Sequence, residues 1–152
     1  MTAPPRRARP DDASAIAALV NRAYEKYVAR IGRKPRPMTA DYDEAVTAHQ
    51  MSVIEDNGVI VAALELIPEK DVLLIENIAV DPAQQGTGLG KRLLAFAEDE
   101  ARRQGFAALR LYTNEKMTEN IALYARYGYR ETSRETLRNL HVVHMRKDLS
   151  GA

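Results

Sequence analysis

The segment from Val72 to Gly105 constrains the fold most, because a buried strand, a glycine-rich turn and an amphipathic helix follow one another in it. Its first part is an apolar run that only Glu76 and Asn77 interrupt, which is typical of a strand buried on both faces. Pro82 ends this strand, since proline has no backbone N–H to donate to a sheet. After the turn, apolar residues recur at helical spacing. This order of elements favours a fold of the α/β class.

The turn before the helix, residues 85–91, contains three glycines. The first turn of a helix leaves backbone N–H groups unpaired and is partly positive, and glycine lets an anion approach those groups. A tight turn without a ligand is the alternative. The spacing excludes two nucleotide motifs. A Walker A loop needs Gly where Gln85 stands, and a dinucleotide fingerprint needs Gly where Lys91 stands.

The turn does fit the pattern Q-x-x-G-x-G, which is met by Gln85, Gly88 and Gly90. Preceded by a strand ending in IAVDP and followed by KRLL, it resembles motif A of the GCN5-related N-acetyltransferases, the GNAT family. In that family the turn binds the pyrophosphate of acetyl-coenzyme A, and the strand before it hydrogen-bonds the pantetheine arm. The residues that the resemblance assigns to coenzyme binding in this segment are Ile78, Ala79, Val80, Gln85, Gly86, Thr87, Gly88, Leu89, Gly90 and Lys91.

A second motif, NIALYARYGY, contains Tyr124 and resembles motif B of the same family, whose tyrosine reaches the coenzyme sulfur. The resemblance makes Tyr124 the candidate acid that protonates the leaving thiolate. A tyrosine packed against the sheet is the alternative. Family members commonly carry Asn seven residues earlier, where this chain has Met117. Asn120 is the substitute for that pantetheine contact, or else it caps a helix.

Glu76 is the carboxylate inside the apolar central strand, and its alternation predicts the same face as Leu74, Ile78 and Val80. Burial raises a carboxyl pKa toward neutrality, which suits a general base. Many family members use a carboxylate on this strand, often through water. Glu76 is therefore the candidate base, and a structural glutamate that is solvated or paired with an arginine is the alternative.

The other predicted elements are, in chain order, a strand at Arg6–Arg9, a helix capped by Asp11 or Asp12, a helix at Asp41–His49, a hairpin of Met51–Asp56 and Val59–Leu66, a strand at Ala107–Tyr112, a helix from Glu119 or Asn120 to Tyr127, and a closing pair at Tyr129–Thr132 and Leu140–Met145. The strand at 107–112 is expected to be the parallel neighbour of the central strand. The resemblance implies one GNAT domain over residues 1–152. It has a mixed, mostly antiparallel sheet of about six or seven strands, a parallel and splayed central pair, and about four flanking helices.

The acceptor side is predicted in the first third of the chain, where family members place this wall. The residues assigned to it are Tyr24, Tyr27, Met38 and Tyr42. Half-buried packing is the alternative for Tyr24 and Tyr27. The loop between the first two helices carries Arg33, Lys34 and Arg36. It favours an anionic acceptor or an acidic peptide, and a solvated connector explains it equally well.

Composition argues against several other functions. The chain has 152 residues, a net charge of +1 and no cysteine. The near-neutral balance disfavours nucleic acid and acidic membranes as partners, and no segment reaches a membrane-spanning length. The absence of cysteine excludes disulfides and thiolate metal sites, and the histidines are not spaced as metal ligands. We therefore expect a cytoplasmic protein without a metal.

The resemblance as a whole implies an N-acetyltransferase with acetyl-coenzyme A as co-substrate. The acceptor is a primary amine of a small molecule or a peptide, and it attacks the thioester directly. The alternative is a non-catalytic acyl-coenzyme A-binding or regulatory module that kept the turn and lost turnover. Retention of Glu76 and Tyr124 favours the enzyme. A homodimer is a further expectation, because dimers are common in similar proteins.

Overall fold

The computed structural model describes residues 3–138 and 140–149. Its strands are β1 (Arg6–Arg7), β2 (Gln50–Asp56), β3 (Val59–Pro68), β4 (Val72–Val80), β5 (Ala108–Asn114), β6 (Arg130–Leu137) and β7 (Leu140–Asp148). Its helices are α1 (Ala13–Ile31), α2 (Tyr42–Ala48), α3 (Leu89–Arg103) and α4 (Thr118–Arg126). Short 3-10 turns lie at Pro10–Asp12, Arg36–Thr39 and Pro82–Gln84.

The strands form one sheet in the order β1-β2-β3-β4-β5-β7-β6. Every neighbouring pair is antiparallel except β4 and β5, which are parallel. The parallel pairing runs from Val72 with Ala108 to Ile75 with Leu111, and beyond that point the described backbones of the two strands no longer pair. The predicted mixed sheet with a splayed parallel pair is thus confirmed, and the separation leaves one edge of β4 open.

Apolar side chains cover both faces of this sheet. On one face the α3 cluster contains Leu73, Ile75, Leu93, Leu109 and Leu111. On the other face the α1 cluster contains Ile16, Leu19, Tyr24, Val53 and Ala63. Truncating a fully buried leucine of this kind to alanine costs about 2–5 kcal/mol of stability. No helix among the described residues combines the length and apolarity needed to cross a bilayer.

A β-bulge interrupts β4 in the middle of the strand. Glu65 of β3 pairs with Asn77 and Leu66 pairs with Ile75, so that Glu76 is the additional residue on β4. A bulge changes which face each following side chain occupies, because two residues of one strand then oppose a single residue of the other.

The bulge corrects the predicted face of Glu76. Ile78 and Val80 pack against the α3 cluster. Glu76 lies on the opposite face, where it approaches Arg36 in the loop after α1. Strict alternation is therefore right for Glu76 and Leu74, which precede or occupy the bulge, and wrong for Ile78 and Val80, which follow it.

Most predicted elements are confirmed with bounds that differ by a few residues. The hairpin does turn at Asn57 and Gly58, both with positive φ. The closing pair β6 and β7 is longer than predicted. Asp12 stands at the N-cap position of α1, but its carboxylate accepts from the backbone N–H of Arg9 at 2.7 Å and pairs with Arg6 instead of capping α1.

Candidate active site

A cleft of about 450 Å³ opens where β4, the turn at 85–91, α4 and α1 meet. The strand and turn contribute Ile78, Ala79, Val80, Gln85, Gly86, Gly88, Leu89, Gly90 and Lys91 to its lining. Thr87 is not among the lining residues, and its hydroxyl donates to the carbonyl of Gln84 at 2.5 Å. The strand and the turn that carry the first motif therefore share one cleft.

The turn directs the start of α3 at this cleft. Gly88 is the N-cap of α3 with φ 87°, a left-handed conformation that other residues rarely adopt. Apart from Gly88 itself and its two chain neighbours, no heavy atom of the described residues lies within 4 Å of the place where a Cβ on Gly88 would stand. The first intrahelical bond is donated by Arg92 to the carbonyl of Gly88, at 3.0 Å. The N–H groups of residues 89–91 precede that bond and have no intrahelical acceptor, which makes this end of α3 suited to an anion.

The second motif forms the opposite wall. Tyr124 lines the cleft and is almost completely buried. Its hydroxyl makes no hydrogen bond with any atom in the described part of the chain, and its ring meets that of Tyr129 edge-on at 6.0 Å. Burial raises the pKa of Tyr124 well above its ordinary value, so the hydroxyl stays protonated. A protonated phenol that is buried beside a cleft is able to donate a proton there.

Asn120 also lines the cleft. The cap of α4 is Met117, which lies three residues before it, and the helix begins at Thr118 instead of Glu119 or Asn120. The alternative of Asn120 as the helix cap is therefore wrong, because a cap lies outside the first helical turn.

Glu76 lies outside the cleft lining, on the α1 face at the point where β4 and β5 separate. Its side chain is 19% exposed. Tyr112 of β5 donates a hydrogen bond to one carboxylate oxygen at 2.5 Å, and the guanidinium of Arg36 stands 4.0 Å from the other. Arg36 also donates to the Tyr112 hydroxyl at 2.8 Å. These three side chains form what we call the apex triad: Glu76, Tyr112 and Arg36.

Tyr112 was not among the predicted site residues. Burial, followed by the bond to Glu76, raises the pKa of Tyr112, so its hydroxyl remains a donor. The available signal was alternation along β5, because Leu109 and Leu111 belong to the α3 cluster and Tyr112 must point the other way. Its meeting with Glu76 depends on strand order and on the bulge, which a local pattern does not reveal.

A hydrogen-bonded chain supports β4 from the α1 face. Tyr24 donates to the side-chain oxygen of Asn77 at 2.9 Å and lies 3.1 Å from the carbonyl oxygen of Ile78. The amide of Asn77 donates to the Tyr42 hydroxyl at 2.9 Å, and Tyr42 donates to the carbonyl of Pro37 at 2.6 Å. Asn77, which was not predicted as a site residue, thus connects both helices to the bulge.

The four residues predicted for the acceptor wall do not share one surface. Tyr24 and Tyr27 line the cleft. Tyr42 is buried behind it, in the hydrogen-bonded chain, and Met38 is half-buried against the α1 cluster. Only the first two therefore stand where they can touch a molecule in the cleft.

Glu119 ties α1 to α4 at the mouth of the cleft. Its carboxylate accepts from Arg30 at 2.5 Å and lies 3.5 Å from the ammonium of Lys26. The bond from Arg30 lowers the pKa of Glu119 to about 2. The pair holds the cleft wall together from the surface.

A second buried carboxyl, Glu65, lies on β3 and pairs with His49 at 2.6 Å. Burial raises the pKa of Glu65, and the bond to His49 opposes that shift. Across residues 3–138 and 140–149, no three His, Asp or Glu side chains are placed to hold a metal ion.

Comparison with known proteins gives consistent matches. The model of the acetyltransferase (GNAT) family matches residues 15–129. The uncharacterized N-acetyltransferase YhfO of Bacillus subtilis (strain 168) is 29% identical over 134 residues, which are 83% of this chain and 89% of that protein. A GNAT family acetyltransferase from Elizabethkingia anophelis, solved with acetyl-CoA bound, has a TM-score of 0.67 and 21% identity over 76% of this chain and 86% of its own. A GNAT family acetyltransferase from Staphylococcus aureus Mu50 has a TM-score of 0.79 and 16% identity over 96% of this chain and 98% of its own.

Proposed function

The chain belongs to the acetyltransferase (GNAT) family, and from this membership we propose that it moves acetyl from acetyl-coenzyme A to a primary amine by direct attack in the cleft beside β4. It is an N-acetyltransferase with acetyl-coenzyme A as co-substrate. The observation that carries the residue assignments is the meeting of three features in one cleft: the open edge of β4, the start of α3 and the side chain of Tyr124.

Different parts of the cleft suit the pyrophosphate and the pantetheine arm of the coenzyme. The N–H groups at the start of α3 and the side chain of Lys91 would hold the pyrophosphate. The open edge of β4 at Ile78 and Val80 would hydrogen-bond the pantetheine amides as an added strand does. Asn120 would contact the same arm from α4.

Amide formation needs a deprotonated amine and a protonated leaving group. In the proposed reaction the ammonium gives a proton to Glu76, directly or through water. The amine nitrogen then bonds to the thioester carbon, the carbon–sulfur bond breaks, and Tyr124 gives its proton to the thiolate sulfur. The extra proton on the new amide nitrogen returns to the Tyr124 oxygen through water, and the proton held by Glu76 is released to solvent. The position of Glu76 at the end of the open β4 edge supports its role as the base.

Thiol release measured with purified protein, acetyl-coenzyme A and a panel of primary amines tests this function. We expect acetylated amine and free coenzyme A in equal amounts. Coenzyme A uptake in calorimetry without amine-dependent thiol release favours the binding module instead. An absence of uptake contradicts the assignment of the cleft.

A further inference from the structure

In the apex triad, the opposite charges of Arg36 and Glu76 face each other without forming a hydrogen bond. The Arg36 nitrogen and the Glu76 oxygen are 4.0 Å apart, which is too long for a hydrogen bond. Glu76 uses its other oxygen for Tyr112, so the oxygen that faces Arg36 is available. Arg36 uses one of its five N–H donors for Tyr112, and its side chain is 75% exposed.

From this arrangement we propose that the acceptor is a zwitterion: a primary amine that carries an acidic group close to it, as an α-amino acid does. The proposal rests on the proposed function and names its substrate class. The ammonium of the acceptor binds Glu76, which then removes its proton, and the acidic group binds the guanidinium of Arg36. Arginine suits this role because its planar fork of donors matches a carboxylate.

Two neighbouring charged side chains on this face, Arg110 and Glu65, are already in ion pairs. Arg110 of β5 makes two hydrogen bonds to Glu69, at 2.5 and 2.7 Å. Glu65 is paired with His49 and is almost completely buried. Of these four charged side chains in the described part of the chain, Arg36 and Glu76 are therefore the two that remain for a ligand on the α1 side of the strand opening.

Tyr112 orients the side chain of Arg36, but the side chain is exposed and is able to move. Its guanidinium lies over the Tyr112 ring, 5.9 Å from the centroid, and the hydroxyl of the same tyrosine accepts from it. Its loop is the short turn Arg36–Thr39 at the surface, so an acceptor is able to enter by displacing the guanidinium from Glu76. A simple amine lacks the group that compensates Arg36, and an amine with a second positive charge is repelled by it.

Matched acceptors test the proposal: a panel of amino acids, each beside its amide and its decarboxylated amine, with kcat/KM measured for every member. We expect the wild-type protein to prefer the best amino acid over its amide by tenfold or more. Arg36→Gln should remove that preference by lowering kcat/KM for the amino acid at least tenfold more than it lowers kcat/KM for the amide. Arg36→Lys should keep part of it.

Arg33→Gln is the matched control, because it removes the same charge from the same exposed loop without touching Tyr112 or Glu76. It should retain the preference. Wild-type protein that acetylates amides or simple amines as well as amino acids overturns the zwitterion proposal and leaves the acetyltransferase function intact. An equal loss in both arginine variants overturns it too, since loop charge alone then suffices. Absence of turnover with every amine overturns the proposed function itself.

Discussion

Tyr112 and Glu76 are joined by a hydrogen bond of 2.5 Å at the point where β4 and β5 cease to pair. Backbone pairing between the two strands ends at Ile75 and Leu111, and this side-chain hydrogen bond joins the next residue of each strand. This position matters because the separation creates the open edge of β4. The same bond restrains the carboxylate that we propose as the base.

Tyr112→Phe should lower kcat by about tenfold, because a base that is no longer oriented transfers a proton less efficiently. The KM for acetyl-coenzyme A should stay within about twofold, since Tyr112 lies outside the cleft lining. Glu76→Gln should lower kcat by about a hundredfold. Steady-state kinetics of both variants and of the double variant provide the check. A double variant that loses the product of the two separate effects shows that Tyr112 does not act through Glu76.

Tyr124→Phe should lower kcat by about a hundredfold, because the leaving thiolate then lacks a proton donor. Coenzyme A should bind with unchanged Kd in calorimetry, since the variant keeps the ring and removes only the hydroxyl. A weakened Kd with unchanged kcat indicates a packing role instead.

Tyr129→Phe is the control for that experiment. Tyr129 contacts Tyr124 edge-on, and its buried hydroxyl has no hydrogen-bond partner in the described chain. Its removal should leave kcat unchanged. It should leave the free energy of unfolding unchanged or raise it by about 1 kcal/mol, because an unpartnered buried hydroxyl is destabilising. Urea unfolding measures the free energy of unfolding, and steady-state kinetics measure kcat.

The parts of the fold and site that were predictable from sequence are those that local chemistry determines. The spacing of the glycines identifies the turn at 85–91, and Asn57-Gly58 determines the hairpin of β2 and β3. The second motif also lies where its resemblance implies, because Tyr124 and Asn120 both line the cleft.

What sequence reasoning missed depends on contacts between distant segments. The bulge at Glu76 arises from pairing with β3, and nothing within β4 marks it. Asn77 gains its role from tyrosines 53 and 35 residues away in the chain. In the sequence Arg36 is one residue of a basic loop, and its position over Tyr112 depends on the fold. Such partners become visible only when strand order and helix packing are known.

Gly88→Ala should weaken coenzyme A binding by about tenfold, because a side chain at φ 87° strains the turn by roughly 1–2 kcal/mol and moves the N–H groups of α3. Gly32→Ala is a matched control. Gly32 has φ 88° at the end of α1, with no atom within 4 Å of its added Cβ, and it does not line the cleft. Both variants should lose similar stability in urea unfolding, and only the first should show a higher Kd in calorimetry. Equal Kd values for both argue against the turn as the pyrophosphate site.

Asn77→Leu should lower the free energy of unfolding by about 1–3 kcal/mol, because it removes the partner that Tyr24 and Tyr42 share. The freed Tyr24 hydroxyl still reaches the carbonyl of Ile78, but the bulge loses its tie to α2. We therefore also expect a higher KM for acetyl-coenzyme A, measured by steady-state kinetics. Unchanged stability together with unchanged KM shows that the chain of hydrogen bonds does not position β4.

Glu119→Gln should destabilise the protein at neutral pH and have no effect in strong acid. The folded pKa of Glu119 is lowered to about 2 by Arg30, below its ordinary value of about 4.5. The carboxylate therefore contributes stability above that ordinary value, and the contribution is lost as the pH falls toward 2. Because the side chain is 47% exposed, solvent screening limits the loss at neutral pH to less than about 1 kcal/mol. Urea unfolding of both proteins from pH 7 down to pH 3 should show their difference shrinking. Glu25→Gln, on the exposed face of α1, is the control, and a difference of the same size and pH dependence in both variants refutes the role of the Arg30 pair.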